Sequence, residues 1–432
     1  MQDGYTHGNF LYIDEILENV DSYDFCSSYP YVMTTSKMPM TEFKKCNVTK
    51  FEQLIEPFAY IVVVRFYNIK CKYFNNFISL SKVRTVEKPR FDNGRIISAD
   101  MIEICLNDID LKFIFETYDF KKYEFLEVYW SKYDYLPKEY IDFVLDKYEQ
   151  KTKLKNVDGK EILYNINKQF VNSLYGMCCT NNIRDSVIFD DNTGWTEQKI
   201  SNEEIINLLN KEKFKAFLSF SWGVWITSIA RTNLLKNVIK LDTHTVYCDT
   251  DSLKLIEGYD KSVIENYNEE VYNKIDKVCK DLQIDKKRFS PKDINGEVHT
   301  LGLFELDAQY DKFITQGAKK YAYIKKGKKD IEITVAGVPK EGAKALHSLE
   351  EFKDDFVFDF KFTNKNIAYY LDDMQEIELT DYQGNSEILK NKYGIAIVPT
   401  TYTLGKSEEF CELLSDESSN RAIYNEGRIL NE

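Results

Sequence analysis

Runs of β-branched and aromatic residues alternate along this chain with stretches of helical periodicity, a pattern that predicts a mixed helix-and-sheet protein. Strands are predicted near Tyr60 to Phe66, Thr245 to Cys248, Ser252 to Ile256 and Tyr321 to Ile324. Pro137 opens a helical pattern in which Ile141, Val144, Leu145 and Tyr148 recur, while Lys147, Lys151 and Lys155 follow at four-residue intervals on one stripe. A second helix is predicted from about Glu161 to Tyr175. At roughly 100° per residue, Leu163, Ile166, Phe170 and Leu174 share one side of it, and Lys168, Asn172 and Tyr175 gather on the opposite side. The apolar side is therefore predicted to be the buried one. The run from Asp24 to Pro30 reads as a strand ended by proline, Thr180 to about Lys215 as a polar excursion, and the acidic stretch beyond Gly337 as helical, as in Leu349 to Phe356.

A length of 432 residues exceeds one ordinary core and predicts two to four subdomains. With 43% hydrophobic residues and only 18 Gly and 8 Pro, the chain reads as ordered throughout. The net charge of −13 speaks against a uniformly basic nucleic-acid binder. Local charge is a separate matter, because the runs Lys319-Lys320, Lys325-Lys326 and Lys328-Lys329 could line a basic channel in an acidic protein. Nine cysteines without a C-x-x-C pair fit a reducing compartment rather than a disulfide framework. The most apolar window, Ala59 to Val64, is far shorter than the roughly 20 residues of a membrane span, and no signal-peptide pattern opens the chain; a cytoplasmic protein is expected.

Chemistry concentrates in carboxylates. Tyr247 to Ser252 places Asp249 and Asp251 two residues apart between strand-like runs, so both can project from one side of a β-hairpin. Two such anions repel each other unless a cation neutralises them, and Mg²⁺ favours carboxylate and phosphate oxygens. With Asp24 as a third acid, the set could hold two ions roughly 4 Å apart, the arrangement that supports in-line phosphoryl transfer from a triphosphate. Lys168, with Lys151 or Lys155 upstream, would give point charges for the phosphates.

Three motifs occur in a fixed order: Asp24 to Tyr29; Lys168, Asn172, Ser173, Tyr175 and Gly176 in the pattern K-x-x-x-N-S-x-Y-G; and Tyr247 to Ser252 in the pattern Y-x-D-T-D-S. Together they resemble the polymerase motifs of family B DNA polymerases. Lys319-Lys320-Tyr321 resembles the K-x-Y element, and Tyr5-Thr6-His7-Gly8 the Y-x-G-G element, of the protein-primed branch found in phages and some linear plasmids. Two positions depart from the family: His7 stands where the first glycine is usual, which bears on any close template contact there, and Ser28 stands where leucine is usual.

The resemblance implies an α+β right-hand polymerase fold with palm, fingers and thumb and two insertions. Its segments would be palm over 1–35, a priming-protein docking insertion over 36–134, fingers over 135–179, a processivity and strand-displacement insertion over 180–216, palm again over 217–336 and thumb over 337–432. It implies Asp24, Asp249 and Asp251 as catalytic acids, with the Phe25 carbonyl joining them as a ligand to two Mg²⁺ ions for which Mn²⁺ could substitute. Tyr29 would exclude ribonucleotides, and Lys168, Asn172, Tyr175 and Lys151 would complete the nucleotide site. Ser27, Gly176, Lys319 and Tyr321 would contact DNA. The implied partners are template and primer DNA and deoxynucleoside triphosphates, with a terminal priming protein and a separate exonuclease chain as further candidates, the alternative for the exonuclease being its removal from a longer chain; the setting would be the cytoplasm of an infected or plasmid-bearing cell. Family members carry a proofreading exonuclease ahead of the first motif, where this chain has twenty-three residues, so 3′–5′ exonuclease activity is not expected of it. Two rivals stand beside this reading: an RNA-templated polymerase, against which the spaced Asp249-Thr250-Asp251 speaks, and a polymerase-like module that binds DNA or a partner without chemistry.

Overall fold

The computed structural model describes residues 4–180, 183, 185–190, 194–212, 219–359, 375–380, 386–391 and 401–422. They form two compact units, one of Met1–Thr6 with Ser22–Asp307 and one of His7–Asp21 with Ala308–Glu432.

In the first unit the chain leaves strand β1 (Leu17–Phe25) and turns directly into helix α1 (Ser28–Thr35). The expected strand ending at Pro30 is thus corrected: the strand stops at Phe25, Ser27 takes a left-handed φ of 58°, and Pro30 sits in the first helical turn. Proline is tolerated there because first-turn N–H groups have no intrahelical acceptor to lose. An antiparallel sheet follows, built on β2 (Phe58–Cys71), β3 (Arg95–Asn107) and, after α2 (Asp108–Thr117), β4 (Lys122–Tyr135). β2 is its central strand, with Val62 opposite both Val128 and Leu106. Its sequence is β-branched and aromatic on both faces, as suits a strand covered on both sides.

Helices α3 (Lys138–Leu154) and α4 (Glu161–Cys178) come next, close to their predicted bounds. The polar excursion contains a hairpin, Ser186–Asp190 against Gly194–Gln198, and helix α5 (Asn202–Glu212). Helix α6 (Phe220–Leu241) is buried over most of its surface and is the central helix of the unit, touching α1, α2, α4 and, further on, α7 (Ser262–Leu282). Trp225, Ile226 and Leu234 are fully enclosed along it. Its buried Arg231 is satisfied by Asp110 of α2 at 2.5 and 2.7 Å, and Ser228 bonds the same carboxylate at 3.0 Å. Such pairing is what permits a charge inside a core. Strands β5 (Thr245–Asp249) and β6 (Ser252–Ile256) form the predicted hairpin, and β7 (Phe304–Gly317) runs from this unit into the second.

In the second unit β7 pairs with β8 (Lys320–Lys325), which pairs with β9 (Ile331–Val335). Ile314, Ala322, Ile333, Phe352, Phe358 and Leu404 make its core. Lys406 is buried between Asp14 at 2.9 Å and Asp354 at 2.6 Å, ahead of helix α8 (Glu408–Asp416). The helix expected over Leu349 to Phe356 is corrected to one 3₁₀ turn, Leu349–Glu351. Leu349 and Phe352 are buried at a three-residue spacing, which a single 3₁₀ turn satisfies without a longer helix.

Candidate active site

The acids stand on backbone that is bonded from several directions. The Phe25 N–H donates to the Asp251 carbonyl at 2.8 Å, so the end of β1 is tied to the β5–β6 turn. On its other side Cys26 donates to the Leu303 carbonyl, and Gly302 returns a bond to the Cys26 carbonyl, each at 2.8 Å. Gly302 has a φ of +88°, and a Cβ there would meet the Tyr31 ring at 2.4 Å, so glycine is required on both counts. In the turn, Thr250 has a φ of 57°, and its N–H donates to the Tyr5 carbonyl at 2.6 Å. The Asp249 carboxylate accepts from the hydroxyls of Thr6 at 2.9 Å and Thr250 at 3.1 Å. Tyr5 and Thr6 thus tie the Tyr5 to Gly8 element to the Asp249–Asp251 turn.

Opposite the acids stand lysines of α3 and α4. Asp24, Asp251, Lys151, Lys155 and Lys168 line one cavity of about 430 Å³, joined by Tyr29, Tyr164, Asn172, His299, Glu305 and Asp307. Phe25 and Ser27 also line it, and Ser27 accepts a hydrogen bond from the Lys151 ammonium at 2.7 Å. Burial holds Lys151 below the usual lysine range, and Lys168 and Lys155 push in the same direction. Tyr175 stacks on Tyr29 with centroids 4.2 Å apart and planes 8° from parallel, and its hydroxyl meets that of Thr227 at 2.7 Å.

The prediction for α4 is half right. Lys168 and Asn172 do face the cavity, but the side opposite them is not the buried one. Asn167, Val171 and Cys178 are buried, whereas Leu163, Ile166 and Phe170 are 46%, 41% and 48% exposed. Asn167 is accommodated in the buried stripe by donating to the Leu163 carbonyl at 2.9 Å, so an amide that polarity would place outside lies inside.

The cavity's charge distribution tests whether divalent cations fit. Burial is the first cause that raises Asp24 to about 7, followed by repulsion from Asp251, Asp307 and Glu305, with Lys254 opposing. A carboxylate so disfavoured as an anion, among other hard oxygen donors, is suited to a cation of the Mg²⁺ type. Among the described residues, the ligand-type groups whose donor atoms all lie within 4.8 Å are Cys26/His299/Glu305 and Asp293/Glu297/His299. Asp24, Asp249 and Asp251 are not among these closer sets.

Four contributors escaped the sequence reading. Glu305 and Asp307 share one face of β7 at the same two-residue spacing as Asp249 and Asp251, a signal that was available. Lys254 is 5% exposed within the apolar run Ser252–Ile256, where it donates to the Ser22 hydroxyl at 2.7 Å. His299 lies in a loop with no local signal. Asp249, Tyr175 and Gly176 do not line the cavity itself, although Asp249 shares its hairpin with Asp251 and Tyr175 touches Tyr29. Lys319, with a φ of 58°, forms the β7–β8 turn, and Tyr321 lies opposite Thr315 and Thr334 in the second unit.

Comparison with known proteins places this arrangement. The family model described as DNA polymerase type B, organellar and viral, matches residues 4–270, more than half of the chain. The chain belongs to this polymerase family. The matched span of this type B polymerase holds all three motifs and the three catalytic-type acids. Its fold matches Phi29 DNA polymerase solved with primer-template DNA, with a TM-score of 0.62 and 18% identity over 93% of this chain and 61% of that one. The Phi29 complex that also holds incoming nucleotide gives 0.61 and 18%, covering 94% of this chain and 61% of that chain. The chain thus spans about three-fifths of the Phi29 chains it matches. No curated protein matches it at the level of sequence.

Proposed function

We propose that this chain adds deoxynucleotides to the 3′ end of a DNA primer on a DNA template, using two Mg²⁺ ions. The observation that carries the reading is one cavity with acids on strand ends and lysines on the facing helices, in a member of the type B polymerase family. Asp24, Asp249, Asp251 and the Phe25 carbonyl would hold the ions, which when bound lower the pKa of the primer hydroxyl and offset charge on the leaving pyrophosphate. Lys168 and Lys151 would orient the triphosphate by charge, and Asn172 would face the nascent base pair. Tyr29, fixed by its stack on Tyr175, would close the space that a 2′-hydroxyl needs. Ser27, Gly176, Lys319 and Tyr321 would contact the DNA strands.

In the same reading residues 1–35 and 217–336 are palm, 135–179 fingers and 337–432 thumb. The insertion at 36–134 would dock a priming protein, and 180–216 would hold DNA for processive, strand-displacing synthesis. Among the described residues no helix is long and apolar enough to cross a membrane. The test is extension of a labelled primer with Mg²⁺ and four deoxynucleotides, beside Asp249→Ala and with a 3′-mismatched primer. Extension by the wild type alone supports the proposal, and no extension with either Mg²⁺ or Mn²⁺ overturns it. Deletion of residues 183–212 is expected to shorten products; unchanged lengths would remove the processivity role.

A further inference from the structure

A second cavity of the first unit, about 750 Å³, shares no lining residue with the one that holds the acids. It lies among the end of α1, the segment Phe51–Phe58 that leads into β2, the last residues of β4, and α7. Four lysines line it, Lys37, Lys112, Lys274 and Lys277, against two acids, Glu56 and Asp108. Asp108 is already engaged, accepting from the Tyr133 hydroxyl at 2.7 Å and the Tyr60 N–H at 3.2 Å. None of the four lysines has a carboxylate within ion-pair distance among the described residues.

Lys274 is the sharpest case. Its ammonium donates to the Ser36 hydroxyl at 2.7 Å and stands 5.4 Å from the Tyr31 ring centroid, and the charges nearest it are the like charges of Lys236 and Lys277. Burial leads these causes in bringing it down to about 8, so it is still mostly charged at neutral pH. In a chain of net charge −13, four lysines against two acids around one hollow, none of the lysines ion-paired among the described residues, are a local excess that an anion would relieve.

We propose that this cavity binds a nucleotide unit, its phosphate held by Lys37, Lys274 and Lys277 and its base laid against the apolar lip of Leu54, Ile55 and Phe58. The size lies within the range of small-molecule sites, roughly 300–1,000 Å³. Lysines bind phosphate as point charges, and all four cations of the hollow are lysines. Ile55 is 58% exposed and, with Leu54 and Phe58, gives the hollow an apolar side of the kind that lines small-molecule sites. The nucleotide is either free or part of a single strand; both present the same phosphate and base. This binding is separate from the polymerisation proposed above.

The test is photo-crosslinking of the full chain, in metal-free buffer, with an azido-deoxynucleoside triphosphate and with a short oligothymidylate carrying one azido base, followed by peptide mapping. Label is expected on the peptide that contains residues 51–60. It should fall about tenfold at subsaturating probe in Lys37→Ala/Lys277→Ala, the scale of losing charge-assisted contacts. Lys274→Met should lose more, and the double variant keeps the test decisive should that one fail to fold. Labelling by the triphosphate identifies a free nucleotide, and labelling by the oligonucleotide alone identifies a strand. Label only elsewhere, label insensitive to the double variant, or displacement by polyglutamate as effective as by nucleotide would each overturn the assignment. Primer extension by the double variant should match the wild type; extension lost together with label would show that this is no separate site.

Discussion

Asp24 near the end of β1 and Asp251 in the β5–β6 turn stand on backbone bonded to its neighbours, whereas Lys168 faces them from a helix that leaves Ile162, Leu163, Ile166 and Phe170 exposed. The two sides of the cavity are therefore built differently. On the acid side, position is fixed by main-chain hydrogen bonds from β1, the β5–β6 turn and the Gly302 loop, so repelling charges are held where solvent alone would not leave them. On the lysine side, α4 itself fully buries only Asn167, Val171 and Cys178, with Leu174 and Tyr175 partly buried against the core, while Ile162, Leu163, Ile166 and Phe170 stay largely open to solvent. A bonded floor opposite a lightly anchored helix suits a site in which one side must stay while the other adjusts to a ligand.

The largest break in that comparison comes from removing an acid. Asp251→Ala is expected to lower the rate of primer extension by on the order of 10³-fold while leaving the fold intact, since the turn is held by backbone bonds rather than by the carboxylate. Lys168→Ala should cost about 10²-fold, and less if triphosphate concentration is raised, because in the proposed role its charge would act on binding as well as on the reaction. Single-turnover extension over a range of triphosphate separates the two. Equal losses with equal concentration dependence would erase the distinction between floor and helix.

The acid side also carries a pH signature. Asp24 is raised to about 7 in the folded chain, chiefly by burial, so between the ordinary carboxylate range and about 7 the folded state holds more protons than the unfolded one. Metal-free stability should therefore fall as pH rises through that window. Asp24→Asn removes the burden and should raise the melting temperature near pH 8, by an amount corresponding to about 4 kcal/mol, with the gain shrinking toward pH 5. Thermal melts in chelator at several pH values check this; a pH-independent gain would place its origin outside ionisation. A smaller effect is expected of Thr227→Val, which leaves the Tyr175 hydroxyl without its 2.7 Å partner beneath the Tyr29 stack. Discrimination against ribonucleotides should weaken by a few fold, about 1 kcal/mol, measured as the ratio of extension with deoxynucleotide to that with ribonucleotide.

The two sides also differed in how far the sequence reveals them. The hairpin with Asp249 and Asp251 was legible because strand alternation and a two-residue acid spacing are local properties, and residues Thr245–Asp249 and Ser252–Ile256 form it as predicted. Glu305 and Asp307 carried the same spacing in β7 but lacked a flanking motif. His299 and Gly302 were not legible, since their importance lies in what the chain brings beside them from α1 and β1. The α4 helix was legible as a helix, in its bounds and in the side that bears Lys168, yet periodicity misplaced its buried stripe. Hydrophobicity names the face that prefers burial, while neighbours decide which face is covered. Here α3, α6 and α1 cover a stripe turned toward Asn167 and Val171.

That misplacement yields the smallest expected effect and a direct reversal. Ile166 is 41% exposed, so Ile166→Gln gives up little buried area and is expected to change stability by no more than about 0.5 kcal/mol. Val171, five residues on, is 1% exposed, and Val171→Ala should cost about 2 kcal/mol from lost burial and the cavity left behind. Helical periodicity alone predicts the opposite ranking, because it assigns Ile166 to the buried side. Chemical denaturation of the two variants decides between them: a tolerated glutamine at 166 beside a damaging alanine at 171 means that α4 is seated by the stripe nearer the cavity. Lys168 then follows any rotation of that stripe, since it lies one residue beyond Asn167 and three before Val171 on the same helix. The opposite ranking would mean that Ile166 and Phe170 are covered in solution and that the helix is anchored on its far side, leaving the lysine free to approach the acids without disturbing the core.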